Sequence, residues 1–259
     1  MLHDVALSPF GASVADMVSA AVDAEAAGVA TIWVSDHFSG AVVDRPWSRD
    51  PFVCLGAMAA RTERVGLGLL VANVVNRHPA QLASAVDSLR SLAPGRVVLG
   101  VGSGAAPGSR FAVEHDAIGR ELGDAEGRRR DLVEAIGSLR AIWRREATFD
   151  AEGPAAFDGL TAVVDHDSPP PIVIGASAWS TIEIALDHAD GVNLRTTSST
   201  MDHLARLAAR RPDGFEVSVL DVARSGTRDD ASLAAAGCDR LVLGWSPPFD
   251  RSLLDHLTG

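Results

Sequence analysis

Short apolar runs alternate with segments of helical period along this chain, and that alternation constrains its fold more than any other feature. Eight runs read as strands: Val5–Leu7, Thr31–Ser35, Val65–Val71, Val97–Val101, Ile172–Ile174, Val192–Leu194, Phe215–Val222 and Arg240–Trp245. Several are near-continuous Val/Ile/Leu stretches, the pattern of strands buried on both faces of a parallel sheet. Between them, Ser13 with Asp16 predicts a capping box opening a helix over Val14–Ala27. Pro79 suits a first helical turn, and Leu132, Ile136, Leu139 and Trp143 mark a long helix over roughly 124–145. Gly28, Gly191 and Gly237 each stand between a helical segment and a strand, where glycine stops a helix by accepting positive φ. Eight such units in 259 residues predict an α/β fold of the (β/α)8 TIM-barrel type, with a doubly wound open sheet as the alternative. We expect one domain over 1–259, with an elaborated excursion at about 105–170 that is rich in Gly, Pro, Asp and Ala.

Composition closes several functional classes. The net charge is −11 and all 23 basic side chains are arginine, which argues against nucleic acid and anionic membrane as principal partners. Without lysine there is no Schiff base and no P-loop. No apolar stretch is long enough to span a membrane, and the amino terminus lacks the pattern of a secretory signal. Cys54 and Cys238 fit neither a disulfide framework nor a zinc site, so a reducing cytoplasm is expected and no metal. No GxSxG elbow supports hydrolase chemistry, and Arg128-Arg129-Arg130 reads as a solvated helix face.

In a barrel, functional residues collect where strands end at their carboxyl side. Those positions hold Ser8, Asp36-His37, Asn73, Gly102-Ser103-Gly104, Ser177, Arg195, Asp221 and Trp245. Asp36-His37 is the sharpest of these, because an imidazole beside a carboxylate can exchange a proton near neutral pH. The bland alternative is a turn-capping aspartate followed by a loop histidine. Gly100–Ala105 matches a dinucleotide fingerprint in letters, but Ala106-Pro107-Gly108 continues a loop where that motif needs a helix. The glycines could instead let a flat ring approach the backbone. Ser177 to Thr181 runs from a strand into a helix, forming either an anion site or an ordinary cap.

Five segments together resemble the bacterial luciferase-like monooxygenase superfamily (LLM class), and its deazaflavin-dependent branch in particular. They are Ala24–Phe38, Val65–Leu89, Gly95–Gly104, Arg128–Trp143 and Pro170–Val192, and Leu233–Trp245 is similar to the family's last unit. The resemblance implies a TIM barrel binding coenzyme F420 or FMN at the strands' carboxyl ends, commonly in a homodimer. It implies His37 and Asp36 as catalytic residues, with Asp36 orienting His37. It places a third-strand bulge with a non-prolyl cis peptide at Leu70-Val71, and cofactor contacts at Leu70, Val71, Asn73, Gly102, Ser103 and Gly104. The phosphate loop would be Ser177, Ala178 and Trp179. Departures are Ala105 where sugar-phosphate dehydrogenases of the branch carry Glu, no lysine, Ser177-Ala178 where Gly-Gly is usual, and trimmed late helices around 195–234.

The expected activity is an F420-dependent oxidoreductase passing hydride between the deazaflavin C5 and a small organic substrate. Two alternatives are an FMN-dependent monooxygenase and a non-catalytic flavin-binding barrel or partner subunit. Trp47, Phe52 and Phe111 could supply apolar walls for the substrate.

Overall fold

The computed structural model describes residues 1–166, 168–221, 230–255 and 257. Eight parallel strands close a barrel in chain order: β1 (Leu2–Leu7), β2 (Thr31–Val34), β3 (Gly66–Asn73), β4 (Val97–Gly102), β5 (Ile172–Ala176), β6 (Gly191–Arg195), β7 (Glu216–Asp221) and β8 (Arg240–Trp245). The ring closes through β8 on β1, from Leu2 opposite Arg240 to Leu7 opposite Trp245. The open-sheet alternative is thereby excluded. Val222, at the end of the expected seventh strand, lies outside the described residues.

Helices α1 (Val14–Ala26), α2 (Pro51–Ala59), α3 (Pro79–Leu92), α5 (Ala125–Trp143), α6 (Trp179–His188), α7 (Thr200–Ala208) and α8 (Asp230–Ala235) lie between the strands, with the short α4 (Val113–Ala117) ahead of α5. Helix α7 is as long as α2, and α8 is described only from Asp230, so part of the 195–234 stretch expected to be trimmed lies outside the described residues. The Ser13 hydroxyl caps α1 by accepting from the Asp16 N–H, but it donates to the Asp16 carboxylate, which therefore faces the hydroxyl and not the cap's backbone N–H. Aspartate is one methylene shorter than the glutamate of a reciprocal box. That box forms at α3 instead, between His78 and Gln81. Of the three glycine junctions, Gly28 and Gly237 have positive φ. Gly191 does not; it lies inside β6, where a Cβ would meet the Glu216 carbonyl at 2.6 Å.

The strands' outward side chains and the helices form one large buried cluster, including Ile32, Leu67, Leu99, Leu132, Ile174 and Leu243. A smaller cluster contains only strand residues and fills the barrel lumen: Trp33, Leu70 and Val242, ringed by Ala6, Val71, Val98 and Leu220. Gly68 makes room for the Trp33 indole, which would stand 2.6 Å from a Cβ there. Below it, buried Asp4 accepts from Trp33 Nε1 at 3.0 Å and pairs with Arg240. The lumen is packed, so a ligand is confined to the upper face.

Candidate active site

The floor of the upper face is built by β3. Its pairing with β4 shifts register between Leu69 and Ala72, and the Leu70-Val71 peptide is cis, as the resemblance implied. The bulge sets the Val71 side chain between two neighbouring strands: a Cβ on Gly102 would lie 2.5 Å from Val71 Cγ2, and one on Gly175 2.7 Å from Val71 Cγ1. Gly100 likewise faces the Leu69 carbonyl. Gly100 and Gly102 of β4 therefore make room for the bulge of the adjacent strand. Gly104, at φ +77°, then turns the chain away in the left-handed region.

Above this floor opens a cavity of about 470 Å³, within the usual range for small-molecule sites. Its lining includes the expected Asp36, His37, Leu70, Val71, Asn73, Gly102, Ser103, Gly104, Ser177 and Ala178. Trp179 is a correction: it is not in the wall, and its indole lies against α7 beneath the Arg206 guanidinium, 3.5 Å from the ring centroid. Thr181, two positions on in α6, lines the cavity instead. Ser8, Asp221 and Trp245 do not line it; Trp245 is fully buried and donates to the Asp250 carbonyl. Phe111 does line it, its ring centroid 5.3 Å from that of His37. Trp47 and Phe52 do not; Trp47 is tied to the Ala12 carbonyl and Phe52 lies under Arg77.

Asp36 and His37 part company. The buried Asp36 carboxylate binds Arg77 in fork geometry, with Nε at 2.9 Å from Oδ2 and Nη2 at 2.9 Å from Oδ1, and it accepts the Asn73 N–H at 3.1 Å. Arg77 also reaches Asp50, whose carboxyl sits low because that bond and the Phe52 and Val53 N–H groups outweigh its burial. Asp36 thus locks the end of β2 to β3 and leaves the imidazole to another partner, contrary to the orienting role expected of it. That partner is Glu114 on α4, with Oε2 2.6 Å from His37 Nδ1. The next residue, His115, is also buried and in the wall, with Nε2 3.2 Å from Asn73 Nδ2. Glu114 and His115 fall in the expected excursion, and no local pattern marks them as site residues.

The same cavity has a cationic stretch of wall. Arg128 and Arg129, from the first turns of α5, line the cavity with Arg195 from the end of β6; only Arg130 of the triplet is an exposed face. Arg128 keeps one nitrogen on the Gly123 carbonyl, while its Nε is buried without a partner. At α6 the N-cap Ala178 supplies no side-chain bond, so the first amides of that helix stay open toward Ser177. Among the described residues no group of three or more His, Cys, Asp or Glu could hold a metal. No described helix is long and apolar enough to cross a membrane.

Residues 3–250 match the family described as luciferase-like monooxygenase. The chain belongs to that family. This luciferase-like protein is 32% identical over 207 residues to the F420-dependent glucose-6-phosphate dehydrogenase of Kineococcus radiotolerans, covering 76% of this chain and 57% of that one. It is 31% identical over 176 residues to the F420-dependent hydroxymycolic acid dehydrogenase of Mycobacterium tuberculosis, covering 68% and 47%. The chain spans about half the length of the curated relatives it matches. Among solved structures, an F420-dependent secondary alcohol dehydrogenase superposes with a TM-score of 0.79 at 18% identity, covering 98% of this chain and 95% of that one. The F420-dependent tetrahydromethanopterin reductase of Methanopyrus kandleri gives 0.72 at 16%, covering 99% and 96%. At such identities the likeness is one of fold.

Proposed function

We propose that this protein is an F420-dependent oxidoreductase acting on a small organic substrate. The observation that carries the proposal is the meeting in one cavity of the His37 imidazole with Arg128, Arg129 and Arg195, over the floor made by Leu70-Val71. A planar, phosphate-bearing cofactor fits that layout. Leu70 and Val71 would support its ring, and Gly102 to Gly104 its edge. The open first turn of α6, Ser177, Thr181 and the unpartnered Nε of Arg128 suit a phosphate, since helix-start amides and guanidinium donors favour anions. When bound, the deazaflavin supplies the hydride donor or acceptor, and the protein supplies orientation and proton management.

His37 is the group placed to hold the proton. Its Nε2 has no hydrogen-bond partner among the described residues, and its side chain keeps 22% exposure on a cavity wall. A substrate hydroxyl oxidised to a carbonyl would release its proton to that nitrogen, and the reverse reaction would draw it back. Phe111 beside the imidazole limits water there and offers an apolar face to the substrate. The relatives are F420-dependent dehydrogenases, which favours this direction of chemistry.

Equilibrium titration tests the proposal. Purified protein should bind F420 more tightly than about 100 μM, roughly −5.5 kcal/mol, and more tightly than it binds FMN. Preferential binding of FMN with oxygen consumption would favour a monooxygenase, and binding of neither cofactor would overturn the proposal.

A further inference from the structure

We propose that Glu114 is a positioning residue that decides which nitrogen of His37 carries the exchangeable proton. Only the consequence for turnover rests on the oxidoreductase reading; the tautomer follows from the geometry of the protein alone.

Glu114 is 1% exposed. Its Oε1 accepts the N–H groups of Phe38 at 2.8 Å and Ser39 at 2.6 Å, and its Oε2 meets His37 Nδ1 at 2.6 Å. Burial pushes this carboxyl up, but the His37 contact and the two amides outweigh it, and the group is held below its ordinary value. An ionised carboxylate only accepts. His37 must therefore carry its first proton on Nδ1, which leaves Nε2 bare and able to accept the proton of a bound hydroxyl. A carboxylate behind an imidazole also stabilises the imidazolium that this transfer creates.

The adjacent residue holds Glu114 in place by the same kind of logic. Asn73 Oδ1 accepts the Val75 N–H at 3.0 Å, so the amide presents Nδ2 to His115. His115 Nε2 therefore faces two donors, Asn73 Nδ2 at 3.2 Å and the Ala105 N–H at 3.5 Å, and must be bare. Burial favours this neutral form by pushing the His115 pKa down against the pull of Glu114 and Asp116. Helix α4 has no side-chain N-cap of its own. Two consecutive side chains instead fasten it to the ends of β2, β3 and β4, so the orientation of His37 is set by a tertiary clamp.

A purely structural glutamate would be replaced by glutamine at little cost, because the amide oxygen can still accept from Phe38 and Ser39. The amide nitrogen of Glu114→Gln would then donate to His37 Nδ1 and force the proton onto Nε2. Nitrogen-15 NMR of histidine-labelled protein at pH 8 without cofactor reads this directly. The wild type should show Nδ1 protonated and Nε2 bare for His37, and Glu114→Gln the reverse. Labelling of His37 by diethyl pyrocarbonate, followed by peptide mass spectrometry, should slow at least about tenfold in the variant, because the bare nitrogen moves behind the side chain at position 114. An Nε2-protonated His37 in the wild type, or an unchanged tautomer and labelling rate in Glu114→Gln, would overturn the proposal. The wild-type spectrum decides the tautomer even if the variant does not fold. Neither readout involves F420, so failure of the cofactor assignment would show separately in the titration.

Discussion

Val71 occupies the space that a side chain at Gly102 would need: its Cγ2 stands 2.5 Å from where a Cβ would be built. The third-strand bulge and the fourth-strand glycine are therefore one structural unit. Gly102→Ala should destabilise the protein by about 1–3 kcal/mol, the usual cost of overpacking a dense site. Val71→Ala made in the same chain should recover most of that loss, giving a coupling well beyond additivity in urea denaturation. Equal destabilisation with and without Val71 would show that the contact does not govern the site.

Asp36 and Arg77 form the second lock of the floor. Removing one partner strands the other, and the 4% exposure of the Asp36 side chain makes that costly. Arg77 keeps 27% exposure, which places the expected loss for Asp36→Ala or Arg77→Ala at the lower end, about 2–3 kcal/mol. The double variant should lose little more than the worse single one. In each, His37 should keep its Nδ1-protonated form, because Glu114 remains.

Asp4 gives the lower end of the barrel a pH signature. Burial, offset in part by Arg240 and the Trp33 indole, pushes its pKa from 3.8 up to about 6. The folded protein therefore binds this proton more tightly than the unfolded chain does. The resulting stabilisation is full below about pH 4 and is lost as pH rises through about 6; it amounts to at most about 3 kcal/mol. Asp4→Asn should remove this slope, seen as a wild-type-minus-variant stability difference that declines between pH 4 and 6 and is flat above. A difference that grows with pH would contradict the assignment.

Arg128 and Arg129 are expected to bind the cofactor's phosphate. Substitution of either by alanine should weaken F420 binding about tenfold or more, as for loss of one charge-assisted hydrogen bond. The loss should be smaller for a deazaflavin lacking the phosphate, and fluorescence titration of both compounds distinguishes the cases.

The barrel was legible because parallel strands buried on both faces leave apolar runs no other element needs, as in Ile172–Ile174 and Arg240–Trp245. Most of the floor was legible too, since strand ends follow from strands, and the bulge came from the family resemblance. What sequence could not reveal were the partnerships. Glu114 acts on His37 across 77 positions and Arg77 on Asp36 across 41, with nothing local to mark either pair. The arginine triplet has the look of a solvated face, and Arg130 is one. Its first two members line the cavity, a placement that only the tertiary structure gives. Trp179 misled for the opposite reason: it sits in a cofactor-like sequence, but its ring found a stack on α7.

A crystal structure of the protein soaked with F420 tests the central claim most directly. The account predicts the deazaflavin ring against Leu70-Val71, its reactive face open to His37, and its phosphate at the start of α6 beside Arg128. A cofactor bound elsewhere, or a cavity empty at saturating F420, would contradict it.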